Sequence, residues 1–327
     1  MAQLVKLQDY ISRYQVDLKR YPTQFVRLKK QQWERTIVKW EQGSFDSSWL
    51  EKEDEVEVLE KKSFFSKLFN RNNKEGNLEE ETWEETELLE EDVVLEDTAS
   101  LHFEPNIVYN PQTKDELKRM YLNQLFHFQL KWASSTLREK SYVDPKFMRD
   151  KLLRTLTLQL PDNYFLFYYP ILKLKKAPVE LDILLILPTE IICIVVLEGN
   201  DLDAFIGSSD RFWLRKSGKE EKKVLSPMVS LNRMESILLQ IIKKEDIDLP
   251  IRKVILSRNG YIDYPGTSFN TQFVDSRKFP DWFMALKSSP SPMKHMQFKA
   301  AQAILDLVQT TSYSRAGWEV DSEEINE

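Results

Sequence analysis

The stretch that most restricts the fold is VELDILLILPTEIICIVVLEGN, residues 179 to 200, in which two apolar runs flank the break Pro188-Thr189-Glu190. Short runs rich in Ile, Leu and Val on either side of a turn read as adjacent strands buried on both faces. Yet Glu180, Asp182 and Glu198 sit within or at the ends of these runs. An unpaired buried carboxylate is costly, so each must find a partner or reach water.

The same runs do not make a membrane span. Leu181 to Leu197 contains Asp182, Pro188 and Glu190 and falls short of about twenty apolar residues. The opening MAQLVKLQDY is amphipathic and lacks the charged-then-apolar order of a secretory leader. Cys193 is the single cysteine, which leaves no internal disulfide and no cysteine-based zinc site. These features predict a cytoplasmic globular chain without membrane contact.

Charge is unevenly spread. Residues 75 to 97 hold twelve acidic groups and no Lys or Arg; taking them from the 52 acids of the chain leaves 40 against 46 bases. An acidic tether beside a mildly basic body follows, either as a solvated linker or as a competitor for a polyanion. Just before it, KKSFFSKLFNRNNK (61 to 74) reads as linker or weak helix.

Helical spacing of Leu4, Leu7, Ile11, Tyr14 and Leu18, then of Trp33, Ile37 and Trp40, predicts two helices broken at Tyr21-Pro22. Five regions result: a helical hairpin (1–60), a basic-then-acidic linker (61–100), a helical connector (101–143), a mixed α/β domain (144–290), and a C-terminal helix and acidic tail (291–327). The connector carries a long helix at 114–138. The α/β domain reads as a helix from Asp144-Pro145, three strands, a hairpin around Ser217-Gly218, a helix and a strand. Only His102, His127 and His295 are present, too few and too scattered for a metal-histidine cluster.

A three-residue loop between the two apolar runs sets opposed residue numbers to sum to 378 or 380. Glu198 then faces Glu180 or Asp182, with all three acids on one face and Cβ atoms roughly 5 Å apart. Carboxylates this close repel unless a cation intervenes, and an all-oxygen set suits Mg²⁺ or Mn²⁺. The competing reading leaves the acids at strand ends, reaching water.

A helix, then VELDILLI, then IVVLEGN resembles the nuclease-related domain (NERD) branch of the restriction-endonuclease-like, PD-(D/E)XK, superfamily. Asp150 in FMRDKLL stands at the family's helical acid, LPDNY at the exit of that helix, Trp213 in the hairpin, and SPMVSLNR at the opening of the next helix. The resemblance covers residues 144 to 262 and implies a restriction-endonuclease-like mixed sheet flanked by helices. It implies metal held by Asp150, Asp182 and Glu198, with Glu180 orienting a ligand. Asn200 replaces the family's Lys, Ser230 its helix Gln and Ser226 its Asn. Lys173, Lys175 and Lys176, on or just after the neighbouring strand, are the candidates for a migrated Lys, with loss the favoured reading.

The resulting expectation is a NERD-type protein that binds nucleic acid, DNA without sequence preference, and whose cleavage is weakened or lost. Two alternatives accompany it: an active Mg²⁺- or Mn²⁺-dependent DNA nuclease, and a non-catalytic scaffold. The scaffold would bind a protein partner through the N-terminal helices or the acidic linker, using Trp33, Trp40, Trp49 and Trp83.

Overall fold

The computed structural model describes residues 1–43, 103, 105, 107, 111–175, 177–266, 270–288 and 291–315. The expectations for the 61–97 region, for Trp49, Trp83, His102 and Lys176, and for the acidic tail lie outside these residues. The chain forms two compact units, residues 1–27 with 125–327, and residues 28–124.

The first unit is built on a six-stranded mixed sheet. Its strands are β1 (Gln3–Leu7), β3 (Phe165–Tyr168), β6 (Ile183–Ile186), β7 (Ile191–Val196), β11 (Ile251–Leu256) and β13 (Thr271–Val274), adjacent in that order. β3, β6 and β7 are mutually antiparallel neighbours, while β1, β11 and β13 join parallel to theirs. Helices cover both faces. α3 (Lys146–Arg149), α4 (Lys151–Gln159) and α6 (Phe279–Lys287) supply buried residues to the cluster containing Ile183, Leu185, Ile192 and Ile194. α5 (Pro227–Lys244) packs on β7 and β11, and α7 (His295–Leu305) on β6 and α5. Coverage on both sides explains why β6 and β7 are apolar at every position rather than alternating.

A second sheet of four short strands follows the order β10 (Glu220–Leu225), β9 (Phe212–Ser217), β8 (Ala204–Ile206), β12 (Tyr261–Asp263). The hairpin expected around Ser217-Gly218 is present, turning at Gly218 with φ of 60°, a conformation that suits glycine. β4 (Ile171–Lys173) and β5 (Pro178–Glu180) form a small ribbon, as do β2 (Glu139–Lys140) and β14 (Tyr313–Ser314).

The N-terminal reading needs correcting. Residues 3–7 form a strand, not a helix, and a 3-10 turn at Arg13–Gln15 precedes α1 (Arg20–Glu41), which contains Tyr21-Pro22 in its first turn. All five residues of β1 are buried, so no period-2 alternation marked it as a strand. Pro is tolerated in a first turn, where its missing N–H bonds nothing, so it opened the helix here instead of breaking one. Lys6 is buried in β1 and donates from Nζ to Tyr10 O (2.6 Å), Gln15 Oε1 (3.1 Å) and Thr310 Oγ1 (3.3 Å).

In the second unit, the C-terminal part of α1 and the N-terminal part of α2 (Lys114–Trp132) carry most of the described residues. Trp33 packs against Tyr121 with ring centroids 5.1 Å apart, and the Tyr121 hydroxyl donates to Lys29 O at 2.6 Å. The Trp40 indole donates to Pro111 O at 2.8 Å. α2 ends at Trp132, earlier than the Arg138 read from the sequence.

Candidate functional site

The register of β6 against β7 decides where the acids go. Ile183 opposes Ile194 and Ile186 opposes Ile191, so paired numbers sum to 377 rather than 378 or 380. The loop is four residues long, closed by Leu187 N donating to Glu190 O at 2.9 Å. One residue of slip sends even-numbered β6 positions and even-numbered β7 positions to opposite faces. Asp182 and Glu198 therefore part company.

Asp182 turns toward α5. Its carboxylate accepts a short hydrogen bond from the Ser230 hydroxyl. Burial pushes its carboxyl group up, opposed by that bond and by the charge of Arg233. Arg233 also donates to Glu180 O at 3.2 Å. Ser230, read as a lost amide, is thus the partner that the buried acid requires.

Asp150 lies on the other face. It is not an interior helical residue: α3 stops at Arg149, and Asp150, extended at φ −67° and ψ 110°, caps α4. Its Oδ1 accepts from Leu152 N (2.8 Å) and Leu153 N (3.0 Å), and its Oδ2 accepts from the Tyr168 hydroxyl at 2.5 Å. Aspartate is favoured at an N-cap because it satisfies amides that have no partner inside the helix.

Glu198 and Glu180 line an open cleft of about 570 Å³ together with Asp150, Gln8, Tyr169, Lys146, Arg149, Lys151 and Arg258. Glu198 is 74% exposed, and its nearest cation is Arg258 at 3.9 Å. Tyr169 has a φ of 50°, uncommon for a non-glycine residue. Burial raises its phenol out of the titrating range, and the charges of Asp182, Glu198, Asp150 and Glu180 add to that. The hydroxyl stays protonated and can only donate or accept hydrogen bonds.

Asn200 does not line the cleft. Its backbone N donates to Asp203 Oδ2 at 2.8 Å, and Arg215 Nε holds the same oxygen at 2.7 Å. A Cβ on Gly199 would come within 2.4 Å of that oxygen, which accounts for the glycine after Glu198. Lys173 and Lys175 border a different, apolar groove with Ile237 and Ile241, so neither replaces a cleft lysine. His127 and His295 line no part of the cleft either.

As a metal site the acids do not fit. Among the described residues, no group of three or more His, Cys, Asp or Glu side chains is placed to hold an ion. Asp150 has both oxygens engaged, and Asp182 is bonded to Ser230 on the opposite face. Sequence reasoning missed the cleft's cations, Lys146, Arg149, Lys151 and Arg258, and it missed Tyr169. The cations are scattered over α3, α4 and the segment after β11, with no motif spacing; the one local signal was Tyr169-Pro170 ending an apolar strand.

Comparison with known proteins supplies a similarity of another kind. An RNA 2',3'-cyclic phosphodiesterase from Geobacillus stearothermophilus is 33% identical to this chain over 131 residues, 39% of this chain and 36% of the relative. The chain spans about a third of the length of that relative. No family model matches the chain, and no solved structure does. The match overturns the expected membership of the NERD branch and the PD-(D/E)XK superfamily. With it go the degenerate nuclease and its two alternatives, the DNA nuclease and the scaffold. What stands of the expected fold is a mixed α/β chain with a multi-stranded mixed sheet flanked by helices. Among the described residues, no helix is long and apolar enough to cross a membrane.

Proposed function

We propose that the chain is a phosphoesterase that hydrolyses a phosphodiester, with its site in the cleft between α3, α4 and the segments after β3, β7 and β11. One observation carries the reading: four cations line the cleft that holds exposed Glu198, in a chain similar to a protein named a phosphodiesterase. Lys146, Arg149, Lys151 and Arg258 provide fixed positive charge for the phosphate and for the negative charge that grows on it during attack.

The chemistry uses the chain's own groups. Glu198 accepts a proton from water, the water oxygen bonds to phosphorus, and the bond from phosphorus to the leaving oxygen breaks. The leaving alkoxide takes its proton from solvent. Tyr169, held protonated, donates a hydrogen bond to a phosphate oxygen. Asp150 serves as a positioning residue, fixing Tyr168 and the start of α4 beside the cations.

The test is hydrolysis of a nucleoside 2',3'-cyclic monophosphate and of bis(4-nitrophenyl) phosphate, each with EDTA and with added Mg²⁺ or Mn²⁺. Turnover by the wild type that falls in both Glu198→Gln and Arg258→Ala supports the reading. No turnover under any of these conditions, or equal turnover by the variants, defeats it. Turnover that EDTA abolishes would reassign Glu198 and Glu180 to an ion.

A further inference from the structure

The ribbon of β2 and β14 carries a second feature of the first unit. Tyr313 opposes Lys140 and Ser314 opposes Glu139, and Arg315 N continues the pairing to Arg138 O at 2.9 Å. Opposed residues of a ribbon share a face, so Lys140 lies on the side of Tyr313, where Tyr142 stacks and the charge of Arg315 acts; Arg138 sits exposed in the bend just before β2. The other face takes the remaining polar groups. Glu139 Oε1 accepts from the Ser312 hydroxyl at 3.1 Å, and the Ser141 hydroxyl donates to Thr311 O at 2.6 Å. Lys140 and two tyrosines thus occupy one side, with the ribbon's acid, Glu139, on the reverse.

The tyrosines form a platform. Their ring centroids are 4.5 Å apart at an interplanar angle of 26°, and Lys140 Nζ lies 5.3 Å from the Tyr313 centroid. Tyr142 is 80% exposed, leaving the outer face of its ring bare to solvent. An aromatic this open, stacked on a second ring that a lysine overlies, suits a nucleobase with a phosphate beside it. Lys146 of the cleft follows Tyr142 with three residues between them, a span of at most about 14 Å.

We infer that the Lys140/Tyr142/Tyr313/Arg315 face, with Arg138 just before β2, binds the single strand of an RNA whose terminal phosphodiester enters the cleft, with a base stacked on Tyr142. This rests on the phosphoesterase reading for the direction of the strand, and it deepens that reading from a phosphodiester in general to an RNA end. Arg138, Lys140 and Arg315 hold the backbone, and nothing on the ribbon reads base edges, so sequence preference is weak.

Binding and turnover separate the two readings. The probe is a fluorescein-labelled ten-nucleotide RNA ending in a 2',3'-cyclic phosphate, titrated by anisotropy with the full chain and with Tyr142→Ala and Tyr142→Phe. Stacking on one aromatic is worth about 1–3 kcal/mol by alanine substitution, so Tyr142→Ala should weaken binding by roughly 5- to 150-fold. Tyr142→Phe keeps the ring face and should stay within about twofold of wild type. Replacing the stacked base by an abasic site should reduce wild-type affinity and abolish the difference from Tyr142→Ala. Hydrolysis of the cyclic mononucleotide by the wild type reports on the cleft reading separately from RNA binding. Equal binding of the RNA by wild type and Tyr142→Ala, or no binding by either, overturns the inference even if the mononucleotide is hydrolysed. Loss of all hydrolysis with Tyr142-dependent RNA binding intact sinks the phosphoesterase reading alone. Equal affinity for the matching DNA would broaden the ligand to single strands of either sugar and so overturn the assignment to RNA.

Discussion

Asp150 and Asp182 invite comparison because the family resemblance assigned both to one metal, and the fold gives them different partners on different elements. Asp150 stands at a helix start where two amides and a tyrosine hydroxyl converge on it. Asp182 faces a serine hydroxyl in a half-buried setting that raises its carboxyl group. Glu198, which lines the cleft with Asp150, is exposed, with Arg258 at 3.9 Å. The lesson concerns cost: a carboxylate held by several donors sustains structure, a buried one with few donors burdens it, and the exposed one is free to react.

Three substitutions sharpen that contrast. The largest effect belongs to Glu198→Gln, which should lower kcat on the cyclic mononucleotide about a hundredfold or more, as loss of a general base does. Its denaturation midpoint should not move; a drop in stability in step with activity would make Glu198 structural. Next is Asp150→Ala, which removes a cap and strands the Tyr168 hydroxyl, costing about 3 kcal/mol of unfolding free energy by urea titration. Asp150→Asn should recover part of this, and a stable Asp150→Ala would break the distinction. The smallest effect is expected at Asp182→Asn, with hydrolysis unchanged and a melting temperature a few degrees higher at neutral pH.

The pH dependence fixes the sign of that last change. The folded carboxyl group of Asp182 is raised above 3.8, so the folded state holds its proton more tightly than the unfolded chain does. Its favourable contribution is complete below about that pH and is lost as pH rises through the folded value. Melting temperatures of wild type and Asp182→Asn should therefore converge in acid and separate, in favour of the variant, toward neutrality. A constant difference across the range would show that Asp182 stays charged without penalty.

Elements with a complete local signature were legible in the sequence. Ser226-Pro227 opened α5, Gly218 turned the β9/β10 hairpin, and the runs at 183–186 and 191–196 paired as antiparallel strands. The register of that pair was not legible, because every position of both strands is apolar and no polar stripe distinguishes one face from the other. α6, β8 and β12 also escaped notice; the two strands are three residues long, and partners far along the chain define them. At the candidate site, Glu180, Glu198 and Asp150 stood out in the sequence as acids, and the fold lines one cleft with all three. The cations around them come from separate elements, and only folding collects them.

The placement of β1 has a kinetic consequence. Gln3 pairs with Phe165, so β1 leaves the ribosome well before its partner and has no neighbour until that partner has been synthesised. During that interval QLVKL, entirely buried in the finished protein, is an unpaired sheet-forming segment open to chaperones and to aggregation. Conditions that slow elongation or deplete chaperones should therefore lower the soluble yield of this chain before they affect the finished fold.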